Sequence, residues 1–203
     1  MQNAAATSWK IAEEDRLRAD LYGFLSALLA APPDKELLAR TALLEGDETP
    51  LGRSIAALAK LAGQCGPDAA EREFNALFIG LGRGELLPYA SYDMTGFLNE
   101  KPLALLRKDM AGLGISRAAN VFEPEDNIAS LMEIMAGLIA GRFGDPASLA
   151  RQKEFFNRHI APWAPHFFTD LEGAKGSVLF APVGAAGRHF MEIEREAFRL
   201  TGG

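Results

Sequence analysis

Between residues 128 and 139 the apolar side chains Ile128, Leu131, Met132, Met135, Leu138 and Ile139 recur with the period of an α-helix and fill one broad face. A face that wide has to be covered from several sides. The segment, read as a helix over about 124–143, therefore belongs in the middle of a helical bundle, with Leu131, Met135 and Leu138 in its core.

The rest of the chain supplies helices to cover it. Residues 11–30 carry Leu17, Leu21, Phe24, Leu25 and Leu28 on one face, and Pro32-Pro33 ends the run. Asp34 is placed to cap a short second helix bearing Leu37, Leu38 and Leu44. Thr49 followed by Pro50 starts a third, which runs through Leu61. A fourth opens at Gly66-Pro67-Asp68 and carries Phe74, Leu77 and Phe78 at i, i+3, i+4. The fifth covers 99–113, with Leu103, Leu106, Met110 and Leu113 inward. After the central helix, Asp145-Pro146 opens a seventh lined by Leu149, Phe155, Phe156 and Ile160. Trp163, Phe167, Phe168 and Leu171 mark an eighth, and 177–200 form the last, disturbed at Pro182. No stretch alternates cleanly over five residues, and β-branched residues are scarce. The expected fold is all-α, a single-domain bundle of about eight or nine helices spanning 1–203, with a candidate hinge at 115–123.

Composition bounds the function. A net charge of −6 argues against general nucleic-acid binding and suits a basic partner. The single cysteine, Cys65, allows no intrachain disulfide. Residues 1–6 lack a basic region followed by an apolar run, and no window approaches ~18 uninterrupted apolar residues. The expectation is a cytoplasmic protein with no stable membrane insertion.

Two polar clusters interrupt the helical pattern, one on each side of the fifth helix. The first follows a glycine-broken loop (Gly80, Gly82, Gly84) and reads Leu87-Pro88-Tyr89-Ala90-Ser91-Tyr92-Asp93. Tyrosines beside a serine and a proline suit a peptide-binding wall, and they serve equally as an irregular loop packed on the core. The second, Glu123-Pro124-Glu125-Asp126-Asn127, is good helix-start chemistry, with Glu123 or a neighbour capping and Pro124 in the first turn. It is also an anionic site able to pair with guanidinium groups. The glycine loop lacks the spacing, the preceding strand and the Lys-Ser/Thr pair of a phosphate cradle. His159, His166 and His189 share no ligand spacing with cysteine or carboxylates, so no metal and no cofactor are assigned. No serine or cysteine has the context of a nucleophile, so no catalytic residue is assigned.

Taken in order, Phe74-Asn75-Ala76-Leu77-Phe78-Ile79-Gly80, Pro88-Tyr89-Ala90-Ser91, Glu123-Pro124-Glu125-Asp126-Asn127 and the run 152–163 resemble the signature of the TorD/DmsD/NarJ family. The resemblance covers roughly residues 10–200. It implies a TorD-like fold and a non-enzymatic cytoplasmic chaperone. Such a chaperone binds the twin-arginine signal peptide, the body, or both, of a molybdenum-containing oxidoreductase precursor while its cofactor is loaded, before export. A helical adaptor with a different partner is the alternative. The family's Glu-Pro-x-Asp-His motif falls on Glu123, Pro124, Asp126 and Asn127, with Asn127 in place of the histidine, so a charged imidazole is not available there. The resemblance thus implies a peptide site made of Leu87, Pro88, Tyr89, Ser91, Tyr92, Glu123, Pro124, Asp126 and Asn127. An apolar groove is expected from Leu86, Leu87, Tyr89 and Tyr92. It also implies a monomer or a domain-swapped homodimer. If the two clusters form one site, Tyr89 or Tyr92 must lie within contact range of residues 123–127.

Overall fold

The structure, a computed structural model, describes residues 11–80, 83–118 and 123–201. These form ten α-helices: α1 (Glu13–Ala30), α2 (Lys35–Thr41), α3 (Pro50–Ala62), α4 (Pro67–Phe74), α5 (Ala90–Thr95), α6 (Lys101–Gly112), α7 (Ile128–Ala140), α8 (Leu149–Phe155), α9 (Ala164–Gly173) and α10 (Phe180–Leu200). One π-helical turn extends α4 (Asn75–Ile79) and another extends α8 (Phe156–Ile160). The described residues contain no strand, only one isolated β-bridge. No helix among them is long and apolar enough to cross a membrane, and no cluster of His, Cys, Asp or Glu among them could hold a metal ion.

The central element is α7. Ten of its residues are buried, Leu131, Met135 and Leu138 among them, and only Ser130, Glu133 and Ala140 are not. Its main partner is α1, which contributes Ala19, Tyr22, Leu25, Leu28 and Leu29 to the same core. A second layer is built on α10, which packs against α9 and α3. Glycine permits the α9–α10 approach. A Cβ on Gly184 would stand 2.4 Å from the Glu172 backbone nitrogen, and one on Gly187 would stand 2.2 Å from the Phe168 ring. Phe74, Phe78 and Phe180 join the layers through edge-on ring contacts with centroids 4.9–5.9 Å apart.

Polar ties run across the layers too. The buried carboxylate of Glu194 (α10) accepts two hydrogen bonds from the Arg18 guanidinium, each 2.7 Å, and one from the Tyr22 hydroxyl at 3.0 Å. Glu73, in α4, accepts the backbone N–H groups of Val178, Leu179 and Phe180. The start of α10 has no side-chain cap of its own, and Glu73 replaces it from a distant helix.

Several sequence expectations hold. Asp34 caps α2 through Leu37 N–H, and Thr49 caps α3 with Pro50 in its first turn. Others are corrected. Residues 90–95, read as loop, form α5, so ten helices replace about eight or nine. The central helix begins at Ile128 with Asn127 as its cap, so neither Glu123 nor Pro124 starts it. Asp145-Pro146 precedes the next helix, which starts after Ser148; its first residue, Leu149, is exposed. Of the stripe expected on α1, Leu25 and Leu28 are buried and Leu21 and Phe24 half-buried, but Leu17 is 60% exposed, because the inward face is centred on Tyr22, Leu25 and Leu29. Leu44 lies beyond α2. Pro182 does not disturb α10, because it sits in the first turn, where its missing N–H removes no intrahelical bond. Of the glycine loop, Gly82 lies outside the described residues, as do 119–122 of the candidate hinge and residues 1–6.

Candidate functional site

Tyr89, which precedes α5, is extended. It meets Asn127, which is also extended and follows a turn closed by the Asn127 N–H on the Pro124 carbonyl at 3.1 Å. The Ile128 N–H donates to the Pro88 carbonyl (2.9 Å) and the Ala90 N–H to the Asp126 carbonyl (3.0 Å), making an antiparallel bridge between Tyr89 and Asn127. The two polar clusters therefore meet, as a shared site requires.

Each side chain at this bridge has a distinct partner. The Tyr89 hydroxyl donates to Glu123 Oε2 at 2.5 Å. Partial burial, and then the Glu123 carboxylate, push its pKa well above the usual phenol value. Asn127 Oδ1 accepts the Ala129 N–H and caps α7. Asp126 is 1% exposed, and its Oδ2 accepts the Ser91 N–H at 2.7 Å. It thereby caps α5, which has no side-chain cap of its own. The other oxygen of Asp126 and the Ser91 hydroxyl are buried without a hydrogen bond from the protein. Glu125 faces away, paired with Arg107 at 2.8 Å and Arg117 at 3.8 Å. Burial opposes its ionisation, but the two arginines prevail and hold its pKa below the ordinary glutamate value.

A cleft of about 280 Å³ opens beside the bridge. One wall is apolar: Leu29 and Ala30 at the end of α1, with Phe74, Phe78 and Ile79 on and after α4. The rest of the lining is Ser26 of α1, Pro88, Tyr89, Glu123 and Asn127 at the bridge, and Ala129, Ser130 and Glu133 of α7. Both glutamates are exposed. Of the residues singled out from sequence, Pro88, Tyr89, Glu123 and Asn127 line this cleft. Ser91 and Asp126 are buried behind it. Tyr92 stands on α5 with the Arg83 guanidinium 5.0 Å above its ring. Leu87 and Pro124 are half-buried and do not line the cleft. The apolar groove expected from Leu86, Leu87, Tyr89 and Tyr92 is thus corrected: of these only Tyr89 contributes, and the apolar wall comes from α1 and α4.

Glu133 escaped the sequence reading, although its signal is present. It is the only ionisable residue in α7, and it lies on the narrow face with Ser130 that the core leaves uncovered. A lone charge in the most apolar helix of the chain marks the side open to solvent.

The pattern of these residues has relatives. A family model described as nitrate reductase delta subunit matches residues 44–169. The chaperone protein TorD of Vibrio cholerae serotype O1 (strain O395) is 31% identical over 170 residues, covering 74% of this chain and 77% of the relative. The chaperone protein TorD of Aliivibrio salmonicida is 32% identical over 171 residues, covering 74% and 80%. Among solved structures, a candidate redox enzyme maturation protein from Archaeoglobus fulgidus superposes with a TM-score of 0.57 at 20% identity, over 95% of this chain and 99% of that one, a likeness of fold. The family match and the TorD relatives show that this chain belongs to the TorD/NarJ family of redox-enzyme maturation chaperones, which are not enzymes.

Proposed function

We propose that the chain binds the twin-arginine signal peptide of a molybdenum-containing oxidoreductase precursor, in the cytoplasm and before export, in the cleft between α1, α4 and α7. The observation that carries this is the pair of exposed carboxylates, Glu123 and Glu133, on one cleft that Leu29, Ala30, Phe74, Phe78 and Ile79 also line. Two guanidinium groups need two carboxylates, and each pair can form charge-assisted hydrogen bonds. The apolar wall suits the alkyl stems of the arginines and the apolar residues of a signal peptide.

In this reading Glu123 and Glu133 receive the arginines, and Tyr89, Pro88 and Asn127 shape the cleft. Tyr89 already donates to Glu123, so an incoming guanidinium has to share or displace that hydrogen bond. Asp126, Ser91, Leu87, Tyr92 and Pro124 act from behind by holding the bridge and α5. The chain 1–203 works as one domain, with 115–123 as its candidate hinge, and binds the precursor as a monomer or as a domain-swapped dimer.

Titration calorimetry with a peptide bearing adjacent arginines tests this. Glu123→Gln and Glu133→Gln should each weaken binding about tenfold or more, since a hydrogen bond to a charged group is worth about 1.5–3 kcal/mol. The thermal midpoint should hardly move, because both side chains are exposed. Unchanged affinity in both variants removes the cleft as the arginine site and favours an adaptor with another partner.

A further inference from the structure

The turn that carries Glu123 to the cleft is fastened by two arginines that do not line the cleft. The side chain of Glu125, two residues on, is only 12% exposed. Its Oε2 accepts the Arg107 Nε–H at 2.9 Å and has a second nitrogen of the same guanidinium at 2.8 Å, so α6 grips one oxygen. The other oxygen, Oε1, faces the Arg117 guanidinium at 3.8 Å, on the linker that follows α6. None of Glu125, Arg107 and Arg117 lines the cleft.

The other anchors of this turn lie further along it. Asp126 and Asn127 are held by the bridge and by the Ser91 N–H, and the Asn127 N–H closes the turn on the Pro124 carbonyl. The Glu123 carboxylate has one hydrogen-bond donor among the described residues, the Tyr89 hydroxyl. That is the bond an incoming guanidinium has to share or displace. Once it is displaced, the backbone of the turn has to keep Glu123 in place. Pro124 stiffens the first link of that backbone, because its ring fixes φ. Glu125 is the next residue, and its tie to the two arginines is one that a ligand in the cleft leaves intact.

We infer that Arg107 and Arg117 are positioning residues of the cleft, which make it selective for arginine over lysine by fixing the Glu123 carboxylate through Glu125. This rests on the reading of the cleft as the arginine site. The reason is geometric. A guanidinium is a planar fork, and its two parallel hydrogen bonds need a carboxylate of fixed position and plane. An ammonium is a point charge on a flexible stem, and a carboxylate that wanders serves it almost as well. An acceptor held in place before binding also avoids an ordering cost at binding. Loosening the clamp therefore weakens arginine binding more than lysine binding. A pure charge effect has the opposite signature: removing a cation near the cleft favours every cationic peptide alike.

Calorimetry with an arginine-pair peptide, and with the same peptide carrying a lysine pair, reads the selectivity of wild type, Arg107→Gln and Arg117→Gln. Wild type should prefer arginine about tenfold or more, the worth of one charge-assisted hydrogen bond. Each variant should lose most of that preference through weaker arginine binding, with little change for lysine and the larger loss at Arg107, whose pair is shorter. Arg107→Lys, which can still pair with Glu125, should retain it. Fluorine NMR of protein labelled with 3-fluorotyrosine reads the site without any ligand, the Tyr89 signal being assigned with Tyr89→Phe. That signal should shift or broaden in both glutamine variants and match wild type in Arg107→Lys. The two arginine side chains are 51% and 40% exposed, so the fold should tolerate the changes, and each variant stands in for the other if one does not. An unchanged Tyr89 signal in the glutamine variants, equal gains for both peptides, or equal binding of the two peptides by wild type overturns the inference. If wild type binds neither peptide, the arginine reading of the cleft fails and the selectivity with it, while the Tyr89 signal shows separately whether the clamp positions Glu123.

Discussion

Replacing Asp126 with alanine separates a ligand-binding carboxylate from one that builds the site. Asp126 Oδ2 accepts the Ser91 N–H at 2.7 Å, and that N–H lies in the first turn of α5, which has no other side-chain cap. A hydrogen bond to a charged acceptor contributes about 1.5–3 kcal/mol, and its loss leaves a buried donor unpaired. Against this, the substitution also removes Oδ1, a buried oxygen with no partner in the protein, which offsets part of the loss. The net expectation is a destabilisation of about 2 kcal/mol, or about 4–8 °C in midpoint for a domain of this size. Chemical denaturation followed by circular dichroism gives the stability, and amide hydrogen exchange gives the location: protection should fall first in Ala90–Thr95. Peptide affinity should fall as well, because the bridge that orients Tyr89 depends on the same segment. An unchanged midpoint together with a tenfold loss of peptide affinity would refute this reasoning and make Asp126 a direct arginine ligand.

Three further outcomes are expected. Gly184→Ala should destabilise by about 1–3 kcal/mol, because its Cβ would meet the α9 backbone rather than a movable side chain; a denaturation midpoint equal to wild type would show that α9 and α10 can separate freely. Glu194→Ala should cost about 3–5 kcal/mol by stranding Arg18 and Tyr22, and adding Arg18→Met should recover much of it; denaturation of the single and double variants reads both. Burial lowers the His159 pKa despite the opposing Asp109 carboxylate, with Arg158 and Glu154 also facing the ring, so the unfolded chain binds the proton more readily than the folded one. Stability from this group is present above its unfolded pKa of about 6.5 and declines as pH falls below it, and His159→Gln should flatten the midpoint-versus-pH curve there.

Much of the fold was legible because its signals are local. The stripe Ile128–Ile139 reports a helix buried on nearly all sides, and Leu131, Met135 and Leu138 are buried as their period requires. Asp34 and Thr49 cap the helices they precede, since a cap and the N–H it accepts lie three residues apart. The meeting of Tyr89 with residues 123–127 could be anticipated from two polar clusters flanking one helix.

Where partners are distant, the sequence was silent. Residues 90–95 look like a loop because their cap, Asp126, arrives from 35 residues away, and α10 starts where it does because Glu73 supplies its first hydrogen bonds from α4. Asn127, not Glu123 or Pro124, caps α7, because the bridge to Tyr89 holds Asn127 extended just before the helix. Leu17 and Leu25 are indistinguishable in sequence, yet only Leu25 is buried, since the neighbours of α1 and not its own period choose which leucines they cover. Glu133 illustrates the division most directly: the apolar helix around it is written in the sequence, but its place beside Glu123 exists only once α1, α4 and α7 enclose a common cleft. Periodicity and caps act over a few residues and so survive in one dimension. The identity of a helix's neighbour, the source of a trans cap and the walls of a cleft arise from contacts between distant segments, and these are decided by packing.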